Sequence, residues 1–246
     1  MAHIGRDTTI TWLGHGTFHI QTPGGKRLLI DPWLETSGNP ASPAGTARRL
    51  EKEGLDVILL THGHFDHIAD LLSLATLTDA KILSIYDITG WLVSKGLPED
   101  RLIGFNKGGT VAVAGISVTM TDAIHSSSYN DNGTVIYMGT AAGYVLHMEN
   151  GFTIYHAGDT AVTSDMQIIG DLYRPDVTIL PIGDHFTMDP RQAAYALKLT
   201  RSKYAIPGHF GTFPLLTGTP EKLRECLGEF GVSCEVIALK PGESVS

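Results

Sequence analysis

The chain has 246 residues, of which 42% are hydrophobic, and a formal net charge of −8 at pH 7. That length suits one large sheet-rich domain, so we interpret residues 1–246 as a single domain. The acidity argues against nucleic acid as a partner, because a broad nucleic-acid surface needs a basic stripe. No stretch approaches the roughly 20 apolar residues of a membrane span, and no secretory signal is visible. With two cysteines that form no metal-binding pair, Cys226 and Cys234, the sequence predicts a cytoplasmic protein.

The first half of the chain predicts strands separated by turns and helices. Alternating apolar residues over 8–22 predict a strand that turns at Pro23-Gly24-Gly25 into a second strand over 27–30. Residues 35–46, rich in Pro, Gly and Ser, predict a loop. The remaining elements are strands at 55–60 and 81–86 and helices at 69–76 and 87–96. Asp87 is the candidate N-cap of the last helix.

The second half predicts a strand-rich middle and then alternating strands and helices. The expected strands lie at 110–113, 116–121, 134–138, 144–148, 152–155, 177–181, 204–207 and 235–239. The expected helices lie at 190–199 and 220–230, and the second begins with Thr219 as N-cap and Pro220 as its first residue. Both halves thus pass from strands alone to strands with helices. This order predicts two sheets packed face to face with helices outside.

Residues 61–67, Thr-His-Gly-His-Phe-Asp-His, carry the strongest chemical signal. Three imidazoles and a carboxylate within six residues are good ligands for a divalent metal such as zinc, manganese or iron. They follow the apolar run 57–60, which predicts a buried strand. On a strand end, His62, His64 and Asp66 would share one side and His67 would point elsewhere. The spacing therefore predicts one metal site with His67 reaching towards a second.

Three later residues follow other predicted strands and extend this pattern. They are His125, Asp159 and His209. His125 can complete a set of three imidazoles with His62 and His64, and the Asp159 carboxylate can bridge two cations. His209 can join Asp66 and His67. A single histidine after a strand is more often structural, but four strand ends that all deliver ligands together predict a two-metal hydrolase.

The order Thr-His-x-His-x-Asp-His, a single His, Gly-Asp-Thr and a single His resembles the metallo-β-lactamase superfamily. The phrases Trp-Leu-Gly-His-Gly-Thr-Phe at 12–18, Ile-Asp-Pro at 30–32, Pro-Ile-Gly at 181–183 and Phe-Thr-Met-Asp-Pro at 186–190 are similar to those of UPF0173 metal-dependent hydrolases. These are related to L-ascorbate-6-phosphate lactonase and to the phospholipase D that cleaves N-acyl phosphatidylethanolamine. The resemblance covers nearly the whole chain. It implies an α/β fold, an αββα four-layer sandwich with the metals at one edge.

The resemblance also implies a ligand set. Metal one would take His62, His64 and His125, metal two would take Asp66, His67 and His209, and Asp159 would bridge them. The expected cofactors are two divalent ions, with zinc first and manganese, iron or nickel as alternatives. Flavodiiron members have a glutamate where this chain has His64, which argues for hydrolysis over redox chemistry.

These ligands predict a metal-bridging hydroxide that attacks a small ester-like substrate. A lactone or a phosphodiester leads, and a thioester follows. We expect Asp66 also to orient the nucleophile, and His185 to contact the substrate or protonate the leaving group. Asp31 is a candidate to hold a ligand imidazole by its second nitrogen. For His15, a structural role and a substrate contact both stay open, and Asp184 receives no role.

Two other classes of function stay open. The first is a non-catalytic metal-binding scaffold or sensor, which the complete ligand set disfavours. The second is a metal-dependent nuclease, which the acidity and the missing insert of the RNA-processing members disfavour. We interpret the other histidines as surface, strand or packing residues; these are His3, His19, His147 and His156. The expected partner is a small-molecule substrate, and related proteins suggest a homo-oligomer.

Overall fold

Seven strands, mostly from the first half of the chain, form the first sheet. The structure, a computed structural model, describes Ile4 and residues 7–246. In spatial order the strands are β16 (Ser244–Val245), β1 (Thr9–Trp12), β2 (Phe18–Gln21), β3 (Arg27–Ile30), β4 (Val57–Leu59), β5 (Lys81–Ile85) and β6 (Leu102–Phe105). Pairing is antiparallel from β16 to β3 and parallel from β3 to β6. The parallel part brings the carboxyl ends of β3 and β4 to the same edge.

The second sheet also has seven strands. In spatial order they are β15 (Glu235–Val236), β14 (Tyr204–Gly208), β13 (Val177–Pro181), β12 (Thr153–His156), β11 (Ala142–His147), β8 (Ile116–Asp122) and β7 (Thr110–Val113). Strands β12 to β15 are parallel, and the others pair antiparallel. A separate hairpin joins β9 (Ser128–Asp131) to β10 (Thr134–Tyr137).

Seven helices of the described residues accompany the sheets. They are α1 (Thr46–Glu53), α2 (Phe65–Ile68), α3 (Leu71–Leu77), α4 (Tyr86–Ser94), α5 (Asp165–Tyr173), α6 (Pro190–Thr200) and α7 (Pro220–Phe230), with 3-10 turns at Glu35–Ser37 and Glu99–Arg101. Thr219 caps α7 by accepting a hydrogen bond from the Lys222 backbone N–H, as predicted, and Pro220 is the first helical residue. In the part of the chain that the structure describes, no helix combines the length and apolarity needed to cross a membrane.

Alternate residues of the second sheet face two different apolar cores. Tyr144 and Ile179 lie in the core that the second sheet shares with the first, together with Ile20. Their neighbours Val145 and Leu180 lie in the core beneath α5, α6 and α7. This alternation follows from the two-residue period of a strand. The two sheets therefore pack face to face with helices outside, which confirms the predicted αββα sandwich.

Hydrogen bonds connect the two sheets at the edge where β4 ends. The Tyr144 hydroxyl donates to the Leu60 carbonyl over 2.5 Å, and the Ala142 backbone N–H donates to the Thr61 carbonyl over 2.9 Å. Backbone and tyrosine hydrogen bonds thus fix the start of the segment at Thr61 to both sheets.

Several local predictions were wrong. The expected strand over 8–22 is two strands, because the chain turns at Gly14–Thr17, where the Thr17 N–H donates to the Gly14 carbonyl. Asp87 is not an N-cap, since α4 begins at Tyr86. The strand expected over 235–239 is limited to β15. Helices α1, α2 and α5 and strands β6, β9 and β16 were not predicted, and His3 lies outside the described residues.

Candidate metal centre

The seven predicted ligands meet at one edge of the sandwich, where strands of both sheets end. His62 and His64 follow β4, and Asp66 and His67 lie on α2 directly after them. The second sheet supplies His125 after β8, Asp159 after β12 and His209 after β14. Parallel sheets commonly place ligand sites beyond the carboxyl ends of their strands. The fold thus gathers side chains that are far apart in the sequence.

The strand alternation predicted for Asp66 was wrong, although Asp66 does reach the cluster. Helix α2 begins at Phe65, so Asp66 and His67 project from a helical turn. Consecutive residues on a helix point in clearly different directions. This turn is what separates Asp66 and His67 from the pair formed by His62 and His64.

His62, His64 and His125 form the first group of imidazoles. Their candidate ligand atoms all lie within 4.8 Å of one another, and His62 Nε2 is 3.0 Å from His64 Nδ1. Two nitrogens bound to one tetrahedral zinc lie about 3.3 Å apart, given zinc–nitrogen bonds of about 2.0–2.1 Å. His62 is fully buried and the other two are partly exposed, so this group faces solvent on one side.

His67, His209, Asp66 and His15 form the second group, again with candidate ligand atoms within 4.8 Å of one another. Asp66 Oδ2 lies 3.9 Å from His67 Nε2 and 3.8 Å from His209 Nε2. The sequence predicted that Asp66, His67 and His209 lie together, and it left the role of His15 open.

Asp159 lies between the two groups. Its Oδ2 is 3.3 Å from His67 Nε2 and 3.0 Å from His209 Nε2. The same oxygen is 3.8 Å from His125 Nε2 and 4.0 Å from His62 Nε2. One carboxylate oxygen therefore faces imidazole nitrogens of both groups.

Asp31 and Thr61 fix the proton positions of two imidazoles. Asp31 Oδ2 is 2.8 Å from His67 Nδ1 and accepts a hydrogen bond from the Thr61 hydroxyl over 2.6 Å. Because the hydroxyl proton points to Asp31, the Thr61 oxygen is left to accept from His62 Nδ1, 2.9 Å away. In their neutral forms, both rings then carry their proton on Nδ1 and direct the lone pair of Nε2 into the cluster, as metal-binding histidines do.

His15 holds Asp66 from behind. Its Nε2 lies 2.9 Å from Asp66 Oδ2, and its Nδ1 lies 3.0 Å from the Thr212 hydroxyl. An ionised Asp66 can only accept, so His15 donates from Nε2 and accepts the Thr212 proton on Nδ1. Sequence reasoning missed Thr212, which carries no motif of its own.

Burial and mutual charge shift the pKa values of this cluster. Burial, with the neighbouring His67, lowers the pKa of His62 well below its usual range. Burial would also lower the pKa of His67, but Asp159, Asp31 and Asp66 around it raise that pKa well above the usual range. Burial would raise the pKa of Asp159, which His209 and His67 instead hold well below its usual range. The cluster thus keeps the Asp159 carboxylate ionised, with positive charge favoured beside it.

The donor set fits divalent cations. Asp31, Asp66 and Asp159 form ion pairs only with histidines among the described residues, and no lysine or arginine of that part of the chain neutralises them. His67 Nε2 and His209 Nε2 are buried without a hydrogen-bond partner in good geometry. A buried polar atom without a partner is costly. Metal coordination would satisfy both nitrogens and balance the carboxylates.

His185 and Asp184 lie on the loop after β13 and do not join either group of candidate ligand atoms. Both residues have positive φ, 67° for Asp184 and 57° for His185. The exposed His185 ring packs edge to face against Phe186, with the ring centroids 4.4 Å apart. The catalytic role of His185 stays a prediction.

A cavity of about 730 Å³ opens in front of the cluster. Its floor contains His64, Asp66, His125, Asp159 and His209. Its walls contain Phe65, Ser126, Phe186, Phe213, Pro214 and Leu215. A substrate can therefore reach the candidate metal ligands from solvent.

Comparison with known proteins identifies the family. A family model described as a beta-lactamase superfamily domain matches residues 26–210. A UPF0173 metal-dependent hydrolase of Roseiflexus castenholzii is 69% identical over 246 residues, which cover 100% of both chains. The chain belongs to the UPF0173 metal-dependent hydrolases of the metallo-β-lactamase superfamily. It is thus a metal-dependent hydrolase, and its His and Asp clusters are consistent with a binuclear site.

Other relatives agree with this assignment. A UPF0173 hydrolase of Chloroflexus aurantiacus is 63% identical, with 100% of each chain covered. The solved structure of Igni18, a metallo hydrolase from Ignicoccus hospitalis, is similar to the structure of this chain. The TM-score is 0.84 and the sequence identity 37%, with 97% of each chain covered. An isothiocyanate hydrolase from Delia radicum gut bacteria shares the fold at 20% identity, with a TM-score of 0.72 and coverage of 97% and 98%.

Proposed function

We propose that this UPF0173 hydrolase binds two divalent cations and cleaves a small ester-like substrate, with lactones and phosphodiesters as the leading classes. The proposed ligands of metal one are His62, His64 and His125, those of metal two are Asp66, His67 and His209, and Asp159 bridges. The position of Asp159 carries the proposal, since its Oδ2 lies 3.0–4.0 Å from imidazole nitrogens of both groups. Zinc suits these nitrogen and oxygen donors best, and manganese, iron and nickel are alternatives.

When bound, two such cations would supply an activated water and stabilise the negative charge that develops on the substrate oxygen. The chain itself supplies the orientation of the site. His15 holds the Asp66 carboxylate, which we assign to orient the attacking water as well as to bind metal two. The Asp31–Thr61 pair keeps the Nε2 lone pairs of His62 and His67 turned inward. For His185, we propose a contact with the substrate or with the leaving group.

Metal content and hydrolysis measured on the same samples test this function. The protein is reconstituted with zinc or manganese and assayed on lactones, phosphodiesters and thioesters, with EDTA as the control. We expect two bound ions per chain and turnover that EDTA abolishes. His64→Ala should lose one ion and at least about 100-fold in activity, because removing a ligand exceeds the effect of losing its outer partner.

His147→Ala is the matched control. His147 is a half-buried histidine of β11 that contacts Thr153 rather than the cluster. This variant should keep both ions and its activity. Full turnover by metal-depleted His64→Ala would refute the proposal. Two bound ions with no turnover of any class would instead support a non-catalytic scaffold.

A further inference from the structure

The cavity in front of the candidate metal ligands is chemically divided. All its histidines and carboxylates belong to the floor, whereas four of its six wall residues are large and apolar: Phe65, Phe186, Phe213 and Leu215. Phe65 is 57% exposed, and Phe186 and Leu215 are each 53% exposed. Large apolar side chains left open at a reactive centre indicate a site for an apolar ligand group.

Two of the three aromatic residues of the wall, Phe65 and Phe213, pack against rings behind them. The buried Trp33 packs edge to face on Phe65, with ring centroids 5.7 Å apart, and stacks on Phe213 at 5.9 Å. The His15 ring, which also holds Asp66, lies 5.7 Å from Phe213. Exposed side chains fixed in this way offer a prepared surface, so little conformational entropy is lost when a ligand packs on them.

The wall carries no positive charge. Among the residues that the structure describes, neither lysine nor arginine lines the cavity, and the whole chain has a net charge of −8. Sites that recognise phosphate usually surround it with arginine, lysine or backbone N–H groups. Two bound cations can hold the reacting group itself, but no lysine or arginine of the wall would hold a second anionic group. The cavity therefore favours a substrate whose distal part is uncharged.

We infer that the substrate carries an uncharged alkyl or aryl substituent that packs on Phe65, Phe186, Phe213 and Leu215. A lactone or an open carboxylic ester with such a substituent fits this requirement. This inference rests on the hydrolase function proposed above. In the reaction, the oxygen of water bonds to the acyl carbon and the acyl C–O bond breaks. The leaving oxygen takes a proton from the same water. A lactone thus gives one hydroxy acid, an open ester gives a carboxylic acid and an alcohol, and nothing is oxidised or reduced.

A homologous series of lactones measures the contribution of the wall. The holoenzyme is assayed on γ-butyrolactone, γ-hexalactone, γ-octalactone and γ-decalactone, and on a γ-lactone whose side chain is as long as that of γ-decalactone but ends in a carboxylate. We expect kcat/KM to rise with chain length, by up to about fourfold for each methylene that becomes fully buried. The lactone with the distal carboxylate should be a poorer substrate than γ-decalactone, because no cationic side chain of the wall would hold its charge.

Variants locate the effect on the wall. Phe186→Ala and Leu215→Ala remove exposed loop side chains, so the fold should tolerate them. Each should lower the preference for γ-decalactone over γ-butyrolactone by about tenfold, as expected for lost apolar contact. Leu172→Ala is the matched control, because Leu172 is equally apolar and 68% exposed but lies on α5, outside the cavity wall. It should keep the full preference.

The outcomes separate this inference from the proposed function. Equal kcat/KM along the series, or turnover of the lactone with the distal carboxylate as fast as that of γ-decalactone, would overturn the inference and leave the metal-dependent hydrolase standing. A preference that survives in Phe186→Ala and Leu215→Ala would also overturn it. Absence of turnover on every substrate, with two cations bound, would overturn both.

Discussion

Replacing Asp31 with asparagine keeps the shape of the side chain but turns one acceptor oxygen into a donor. Asp31 Oδ1 accepts from the Thr61 N–H over 2.7 Å, and Oδ2 accepts from the Thr61 hydroxyl and faces His67 Nδ1. The new NH₂ group must therefore face either the Thr61 N–H or His67 Nδ1. If the NH₂ group faces His67, His67 Nδ1 must accept its hydrogen bond, and the ring proton must move to Nε2. A protonated Nε2 has no lone pair with which to bind a cation.

The size of the effect follows from these contacts. A hydrogen bond to a charged group contributes about 1.5–3 kcal/mol, and loss of an outer partner of a ligating histidine lowers metal affinity about 10–100-fold. Tenfold in affinity corresponds to about 1.4 kcal/mol, so the two expectations agree. We expect the cation held by His67 to bind about 10–100-fold more weakly in Asp31→Asn, with the cation at His62, His64 and His125 less affected.

Competition with a chelator at pH 7.5 measures this affinity, and Asp70→Asn is its control. Asp70 is also a buried carboxylate with three hydrogen bonds, from the Leu34 N–H and the hydroxyls of Thr36 and Ser37, but it contacts no imidazole. Both variants should lose stability, and only Asp31→Asn should lose metal affinity. An unchanged affinity of the second cation in Asp31→Asn would refute the role assigned to the Asp31–His67 contact.

Three further perturbations follow from the geometry. A Cβ on Gly16 would lie 2.6 Å from His67 Cε1. Gly16→Ala should therefore displace the His67 ring and lower the metal content towards one ion per chain. Elemental analysis that finds two tightly bound ions in this variant would contradict the expectation. Thr212→Val should destabilise the protein by about 1 kcal/mol, because His15 Nδ1 loses its donor; urea unfolding measures the loss, and Thr212→Ser should restore the stability. Burial, followed by the charge of Arg49, lowers the pKa of His19 from 6.5 to about 4, so between these two pH values the unfolded chain binds a proton that the folded chain does not. His19 therefore destabilises the fold progressively as pH falls from 6.5 to 4, by up to about 3 kcal/mol. His19→Leu should remove this part of the acid sensitivity, measured by unfolding of the metal-free protein at several pH values. If the parent protein and His19→Leu show the same pH dependence of unfolding, His19 is not the source.

The layers of the fold were predictable from apolar runs, but the helices α1 and α5 were not. Helix α1 reads Thr-Ala-Arg-Arg-Leu-Glu-Lys-Glu and buries only Thr46 and Leu50, so it lacks the apolar stripe that identifies a core-facing helix. Helix α5 contains Gly170, which is unfavourable within a helix. The structure explains this glycine, because a Cβ there would lie 2.6 Å from the Leu199 carbonyl oxygen of α6. Close packing between helices outweighs local propensity at this position.

The candidate ligands were predictable because each follows an apolar strand, whereas their supporting contacts were not. His15 and Thr212 are 197 positions apart in the chain, and only the folded sandwich brings them together. Asp31 was predicted to hold an imidazole, but the sequence does not indicate which one. That choice depends on the parallel pairing of β3 with β4, which sets Asp31 beside Thr61 and beneath His67.

Three non-glycine residues around the candidate metal centre have a left-handed backbone conformation. His15, Asp31 and His209 have φ values of 54°, 51° and 53°, a region that costs non-glycine residues of the order of 1–3 kcal/mol each. Backbone hydrogen bonds hold these conformations, since the His209 N–H donates to the His15 carbonyl and the Asp31 N–H donates to the Leu59 carbonyl. These bonds join backbone atoms of the chain itself, and the two apolar cores beneath them supply the stability that offsets the strain. We therefore expect the fold to persist when the metal is removed. Cation binding would then not be coupled to folding of the chain.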